Sequence, residues 1–221
     1  MPETRTTSLR IDIWSDVICP WCYIGKRRME TALAQFEHAD EVELHWHSFQ
    51  LDPAHAKGHR VPVQEMLATK FGAPPAQVNA MQQRVTDLAA AEGLTYHLDR
   101  AIAVSTLDAH RLGHLAAEHG LGDRMHERLL KAHLSDGEVL DDLDTLIRLA
   151  AEVGVPEDEA GDVLRGTKYA AEVQADIDQA KRLGITGVPF FVLNGTHGVS
   201  GAQSAETFLA ALEQARVRRD G

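Results

Sequence analysis

The sequence predicts an α/β protein in which one sheet is assembled from the two ends of the chain, with a large all-helical domain inserted between them. Three observations carry this reading. Residues 9–15, LRIDIWS, and the run EVELHWHSFQL alternate apolar and polar side chains, while KRRMETALAQFEHA between them spaces Met29, Leu33 and Phe36 at helical intervals. From about Val61 to Leu183 the texture changes to runs of Ala, Leu, Glu, Gln and Arg separated by glycine and proline. Strand character returns only at VPFFVL, 188–193, before a strong hairpin signal at Asn194 and Gly195 and a closing helix, AETFLAALEQARVRR.

Taken in order, residues 1–60 form a βαβ half. Its first strand buries Leu9, Ile11 and Ile13; its second places Val42, Leu44, Trp46 and Ser48 on one face; the crossover between them is long enough for parallel pairing. Residues 61–183 form the helical insertion. Ser105 and Thr106 are candidate caps for the helix LDAHRLGHLAAEHG, and Thr167 for a longer helix that runs through Arg182 and stops at Gly184. Residues 184–221 form a ββα half that completes the sheet. Phe71, Phe190, Phe191 and Phe208 read as core residues.

With 221 residues, 44% of them hydrophobic, the chain can bury a core without help from disulfides or metal. Thirty-three acidic residues against 22 basic ones leave a net charge of −11, which repels a phosphate backbone and argues against nucleic-acid partners. No run approaches the ~20 apolar residues of a membrane span. The opening MPETRTTSLRIDIW has no apolar segment behind a basic start, so a cytoplasmic protein that does not enter the membrane is expected. No motif specifies an oligomeric state.

The two cysteines, Cys19 and Cys22, lie together where the first strand hands over to the first helix. Proline is tolerated at the first helical position, so Pro20 makes Cys19 the cap residue. Side chains three apart on a helix are neighbours, and the two sulfurs can close a disulfide with little rearrangement. Unpaired amides and the positive end of the helix dipole favour an anionic sulfur at Cys19, which becomes the expected nucleophile. Cys22, inside the helix and less exposed, is expected to resolve the mixed disulfide. Half a zinc site is the competing reading of such a pair, and the strand-proline-helix context favours redox chemistry.

The segments SDVICPWCYIGKRRME, STLDAHRL and GVPFFVLNGTHGVSGAQ resemble the DsbA-like thioredoxin-fold oxidoreductases, and within them the FrnE-like cytoplasmic subgroup. The likeness spans nearly the whole chain and extends to the 2-hydroxychromene-2-carboxylate isomerase and kappa-class glutathione transferase scaffold. It implies a thioredoxin core capped by the inserted helices, attack by Cys19, a cis-proline at Pro189 facing it, and Val188 as the backbone position that docks an extended substrate. The expected activity is exchange of the Cys19-Cys22 dithiol with protein or small-molecule disulfides. The alternative is a glutathione-dependent isomerase or transferase on a small organic substrate. No bound cofactor is expected beyond the redox-active disulfide, with glutathione open as a co-substrate. Where periplasmic oxidants of this family carry histidine before the second cysteine, this chain has Trp21, and the uncharged ring implies a less oxidising couple.

The remaining candidates have plainer readings. Trp21, an aromatic between two cysteines, is expected to contact substrate. Ser15 and Asp16 either support the active-site loop or cap it. Among 12 histidines, His110 and His114 have a spacing that can share a metal but lack the glutamate of HExxH, and His45 and His47 share a strand face, where neighbouring acids account for them. No metal is expected. GVSGA only half matches a nucleophile elbow, because Ala202 stands where glycine belongs.

Overall fold

The computed structural model describes residues 9–220; residues 1–8 and Gly221, which the outer pieces above include, lie outside the described residues. The chain begins with β1 (Leu9–Ser15), α1 (Pro20–Leu33), a 3-10 turn (Ala39–Glu41) and β2 (Val42–Ser48). The inserted block contains β3 (Val61–Pro62), α2 (Val63–Phe71), α3 (Pro75–Ala91), β4 (Ile102–Ala103), α4 (Leu107–Glu118) and α5 (Gly122–Lys131). It continues through a π-helical turn (Ala132–Asp136) to α6 (Leu143–Val153), α7 (Glu157–Arg165) and α8 (Ala170–Arg182). The chain returns through β5 (Phe190–Leu193), β6 (His197–Ser200) and α9 (Ala205–Asp220).

The two ends form one four-stranded sheet in the order β2-β1-β5-β6. The β1 and β2 strands pair in parallel, Leu9 opposite Val42 and Ser15 opposite Ser48, and the other pairs are antiparallel. Asn194 and Gly195 turn the hairpin with φ of 48° and 69°, and the Thr196 amide donates to the Leu193 carbonyl at 3.1 Å. The insertion is helical apart from a two-residue antiparallel ladder between β3 and β4.

As a central strand, β1 is covered on both faces, which its alternating pattern did not predict. Leu9, Ile11 and Ile13 pack with Met29, Phe191, Leu193, Phe208 and Leu212 between the sheet and helices α1 and α9. On the opposite face Trp14 packs with Ala180, Ile185 and Val192, its ring Nε1–H donating to the Asp176 carbonyl at 3.1 Å. Asp12, on that same face, is buried with His47 and Arg10 as partners, so polarity in the sequence marked an ion pair rather than solvent. Helix α1 stops at Leu33, short of the periodic run; Phe36 still reaches the core from the turn that follows.

The helices of the insertion hold a core of their own, formed by residues such as Leu112, Leu115, Met125, Leu129, Leu146, Leu149 and Leu164. Buried Arg111 ties it together, pairing with Asp108 at 2.7 Å and donating to the carbonyls of Val163, Gly166 and Lys168 at the α7–α8 connection. Thr106 sits at the N-cap of α4, but its side chain makes no cap hydrogen bond and instead meets Gln50 at 3.4 Å. Helix α8 starts after Tyr169, with Thr167 contributing only its carbonyl to the Ala170 amide. Phe71 is 56% exposed, contrary to the core assignment, because it ends α2, a helix with no buried residue.

Two predictions follow from this packing. Phe191→Ala removes a fully buried ring that meets Phe208 edge-on at 4.7 Å, and a loss of about 3–5 kcal/mol is expected in urea denaturation. His133 is buried, and that burial lowers its pKa to about 4 against a weaker opposing effect of Asp16. An unfolded histidine takes up its proton near pH ~6.5, so stability is full above that value and is lost as pH falls toward about 4. The urea midpoint is expected to drop across that window, and His133→Leu to flatten the slope.

Candidate active site

The chain leaves β1 and enters α1 at the cysteine pair. Cys19 is the N-cap, with extended φ and ψ of −85° and 114°, and Pro20 opens the helix. The Cys19 amide donates to the Asp16 carbonyl at 3.0 Å, and the Cys22 amide donates to the Cys19 carbonyl at 3.0 Å. No side chain caps α1 and its first turn carries no acidic residue, so the positive end of its dipole is uncompensated beside the Cys19 sulfur. Both thiols are free.

Exposure does not rank the two sulfurs, as the sequence reading expected it to: Cys19 is 3% exposed and Cys22 1%. Helices of the insertion cover both, with Ala89, Leu94, Leu98, Leu130 and Leu134 packed around them. Their surroundings differ instead. Cys19 Sγ lies 3.6 Å from the Val188 carbonyl, and the Val188-Pro189 peptide is cis. Cys22 is held well above the usual thiol range, first by burial and then by Cys19, with Ser15 and the Asp16 backbone opposing the effect.

Each remaining residue singled out from sequence has a definite place. Trp21 projects outward, 39% exposed, between the buried cysteines. Asp16 is fully buried; its carboxylate accepts from the Leu51 amide at 2.8 Å and meets His110 Nε2 at 3.2 Å. Ser15 Oγ meets His126 Nε2 at 2.9 Å. His47 lies 2.7 Å from both Asp12 and Asp176, and His114 lies 3.1 Å from Asp176. His110 and His114 thus go to separate acids. No group of three or more His, Cys, Asp or Glu among the described residues is arranged to hold a metal.

Several residues at the site escaped the sequence reading. Tyr96, from the insertion, donates to the Pro20 carbonyl at 2.7 Å and stacks on Tyr23 at 6.2 Å. Its phenol is pushed up by burial and then by the neighbouring Cys19. Gly25 permits the closest approach: a Cβ there would stand 3.0 Å from Pro189 Cγ and 3.5 Å from Phe191 Cζ. Glycine inside a helix normally costs ~1 kcal/mol, and that local misfit was the one signal available in the sequence. For Tyr96 and His126 there was none, because only folding brings them, one from the segment after α3 and the other from α5, to the strand-to-helix junction.

Comparison with known proteins agrees with this geometry. The chain is similar, at 45% identity and a TM-score of 0.91, to the solved structure of a probable DsbA oxidoreductase from Streptomyces coelicolor, over 94% of this chain and 89% of that one. It is 25% identical to the uncharacterized protein YwbO of Bacillus subtilis (strain 168), over 96% of this chain and all of the relative. It shares its fold, at 20% identity and a TM-score of 0.65, with the cytosolic disulfide reductase DsbM from Pseudomonas aeruginosa in its structure with GSH, over 95% of this chain and all of that one. No helix among the described residues is long and apolar enough to cross a membrane. The family model of the DSBA-like thioredoxin domain matches residues 10–213, and with a cis-proline facing a cysteine pair at the start of α1, the chain belongs to the DSBA-like thioredoxin domain family.

Proposed function

We propose that the protein is a thiol-disulfide oxidoreductase that exchanges the Cys19-Cys22 couple with protein or small-molecule disulfides. The observation that supports it most directly is a pair of free thiols at an uncapped helix N-terminus, with the Cys19 sulfur 3.6 Å from the Val188 carbonyl. In the reducing direction the Cys19 thiolate attacks a substrate disulfide; one substrate sulfur leaves as a thiolate, and the other stays in a mixed disulfide with Cys19. Cys22 then loses its proton and attacks the Cys19 sulfur. The second substrate sulfur leaves, the intramolecular disulfide forms, and two electrons have passed to the substrate. Cys19 is the first nucleophile in this scheme because it holds the helix end, whereas burial opposes ionisation of Cys22.

Trp21 and Val188 are the substrate contacts in this reading, the exposed ring offering apolar surface and the Val188 backbone offering hydrogen bonds to an extended segment; Pro189 holds that backbone against Cys19. Asp16 supports the pair by accepting from the Cys19 amide, Pro20 by opening the helix, and Ser15 by favouring the Cys22 thiolate. The shared fold with a cytosolic disulfide reductase solved with GSH supports glutathione as a co-substrate and a cytoplasmic site of action. The uncharged Trp21 fits a couple poised toward reduction. A glutathione-dependent isomerase or transferase on the same scaffold needs no second thiol, and the retention of Cys22 beside Cys19 favours exchange.

The experiment is mixed-disulfide capture. Cys22→Ala is expected to trap a covalent complex with oxidised glutathione or a disulfide-bonded protein, visible by mass spectrometry, while Cys19→Ala abolishes exchange. Trapping by Cys19→Ala instead reverses the roles, and exchange that persists without either sulfur removes the reading. Gly25→Ala is expected to slow exchange and to lower the melting temperature despite its better helix propensity, because the added methyl crowds the Pro189 ring, whose carbonyl is tied to the Gly201 amide at 2.8 Å. A rise in melting temperature with unchanged exchange rate would show that the loop yields freely.

A further inference from the structure

The backbone proposed to dock substrate lies past the end of the sheet. The β5-β6 ladder closes at the pair Phe190 and Ser200, so Val188, Pro189, Gly201 and Ala202 all stand outside it. One hydrogen bond joins the two segments there, from the Gly201 amide to the Pro189 carbonyl at 2.8 Å. Gly201, with φ of 79°, turns the chain away from β6, and the Ala202 carbonyl that follows meets α1. Arg28 receives it: Nη1–H donates to that carbonyl at 2.7 Å, while Nε–H donates to Glu92 at 2.6 Å. Glu92 is the C-cap of α3, in the inserted block. One guanidinium therefore bridges α1, the insertion and the segment that holds the cis-proline loop.

We propose that Arg28, aligned by Glu92, is a positioning residue that fixes the docking backbone and makes the protein prefer peptide disulfides over amide-free ones. The proposal rests on the dithiol-exchange reading and deepens its substrate class. The chain of contacts is direct: Glu92 to Arg28, Arg28 to the Ala202 carbonyl, and the adjoining Gly201 amide to the Pro189 carbonyl. Val188, whose carbonyl lies 3.6 Å from Cys19 Sγ, is the next residue along. A docking segment that is already ordered pays less entropy when an extended peptide pairs with it. A disulfide without amides has nothing to pair with this backbone and gains nothing from its order.

The surroundings suit Arg28 to this task. The guanidinium is a rigid planar fork, so fixing Nε–H on Glu92 also fixes the direction of Nη1–H. The Arg28 and Glu92 side chains are 20% and 22% exposed, which separates the pair from the fully solvated ion pairs that contribute little. One turn earlier on α1, Gly25 lets the same two segments settle against the helix: a Cβ there would stand 3.0 Å from Pro189 Cγ and 3.5 Å from Ala202 Cβ. Ala202 and Val188 both pack against the cluster that contains the two cysteines. The hydrogen bonds of Arg28 do not change as sulfur bonds form and break, so its effect falls on substrate affinity rather than on the limiting rate.

The test compares two oxidants of the reduced protein, a disulfide-bonded peptide and bis(2-hydroxyethyl) disulfide, which has no amide. Oxidation is followed by acid quench and mass spectrometry over a range of oxidant concentrations. Arg28→Met keeps an apolar stem but loses every donor. In it the half-saturating peptide concentration is expected to rise roughly 10-fold, with the limiting rate within about twofold of the natural protein. The preference for the peptide over the amide-free disulfide should fall by the same factor. Glu92→Ala is expected to move the half-saturating concentration the same way, by roughly threefold, and covers the case in which the arginine variant does not fold. An unchanged half-saturating concentration in either folded variant, an equal loss on both oxidants, or a natural protein without preference for the peptide would overturn the proposal. A natural protein that neither disulfide oxidises would instead overturn the dithiol reading beneath it.

Discussion

The fold converges on the open end of one helix. Helix α1 starts at Pro20 directly behind the central strand β1, and its unpaired amides point at Cys19 without a capping side chain or an acidic residue to quench them. Such an end is costly to bury unless something uses its hydrogen bonds and its field. A sulfur that accepts negative charge is one such use, and the rest of the architecture keeps that sulfur dry: the Val188 loop from one side, α3, the Leu94–Leu98 segment and the π-helical turn from the other.

The inserted helices therefore do more than enlarge the protein. They carry a core of their own, and they also supply the groups that the thioredoxin-like sheet lacks at its edge. Tyr96 reaches the Pro20 carbonyl, His110 reaches buried Asp16, and His126 reaches Ser15. Two polar side chains and one backbone carbonyl of the strand-to-helix junction are in this way completed from outside the sheet. Asp176 plays the matching part at the β2 edge, where it accepts from the Ser48 amide at 2.8 Å and pairs with His47. Ser15, Asp16 and Asp176 are thus buried but not orphaned, which keeps the cost of burying them low.

The places where sequence pattern and structure disagree share one cause. Period-two alternation in LRIDIWS correctly marked a strand that buries Leu9, Ile11 and Ile13, but it gave no sign that Asp12 and Trp14 are covered as well, because pattern cannot see a second layer arriving from residues 176–192. Helical spacing carried the prediction past Leu33 because Phe36 is apolar at the right interval, although it is buried from a turn. Phe71 was assigned to the core as an apolar ring at helical spacing and lies on α2, which buries nothing. In each case local character was read correctly, and the neighbour that decided burial came from elsewhere in the chain.

Sequence by itself determined the order of elements, the discontinuous sheet, the position of the cysteine pair at the start of α1 and the Asn194-Gly195 hairpin. These depend on backbone geometry and on side chains within a turn or two of one another. Only the tertiary structure decided that both sulfurs are buried, that Gly25 admits Pro189, and that Ser15 meets His126. Those facts join residues far apart in the chain, and chemical character along a strand or helix contains no record of which distant surface will close over it.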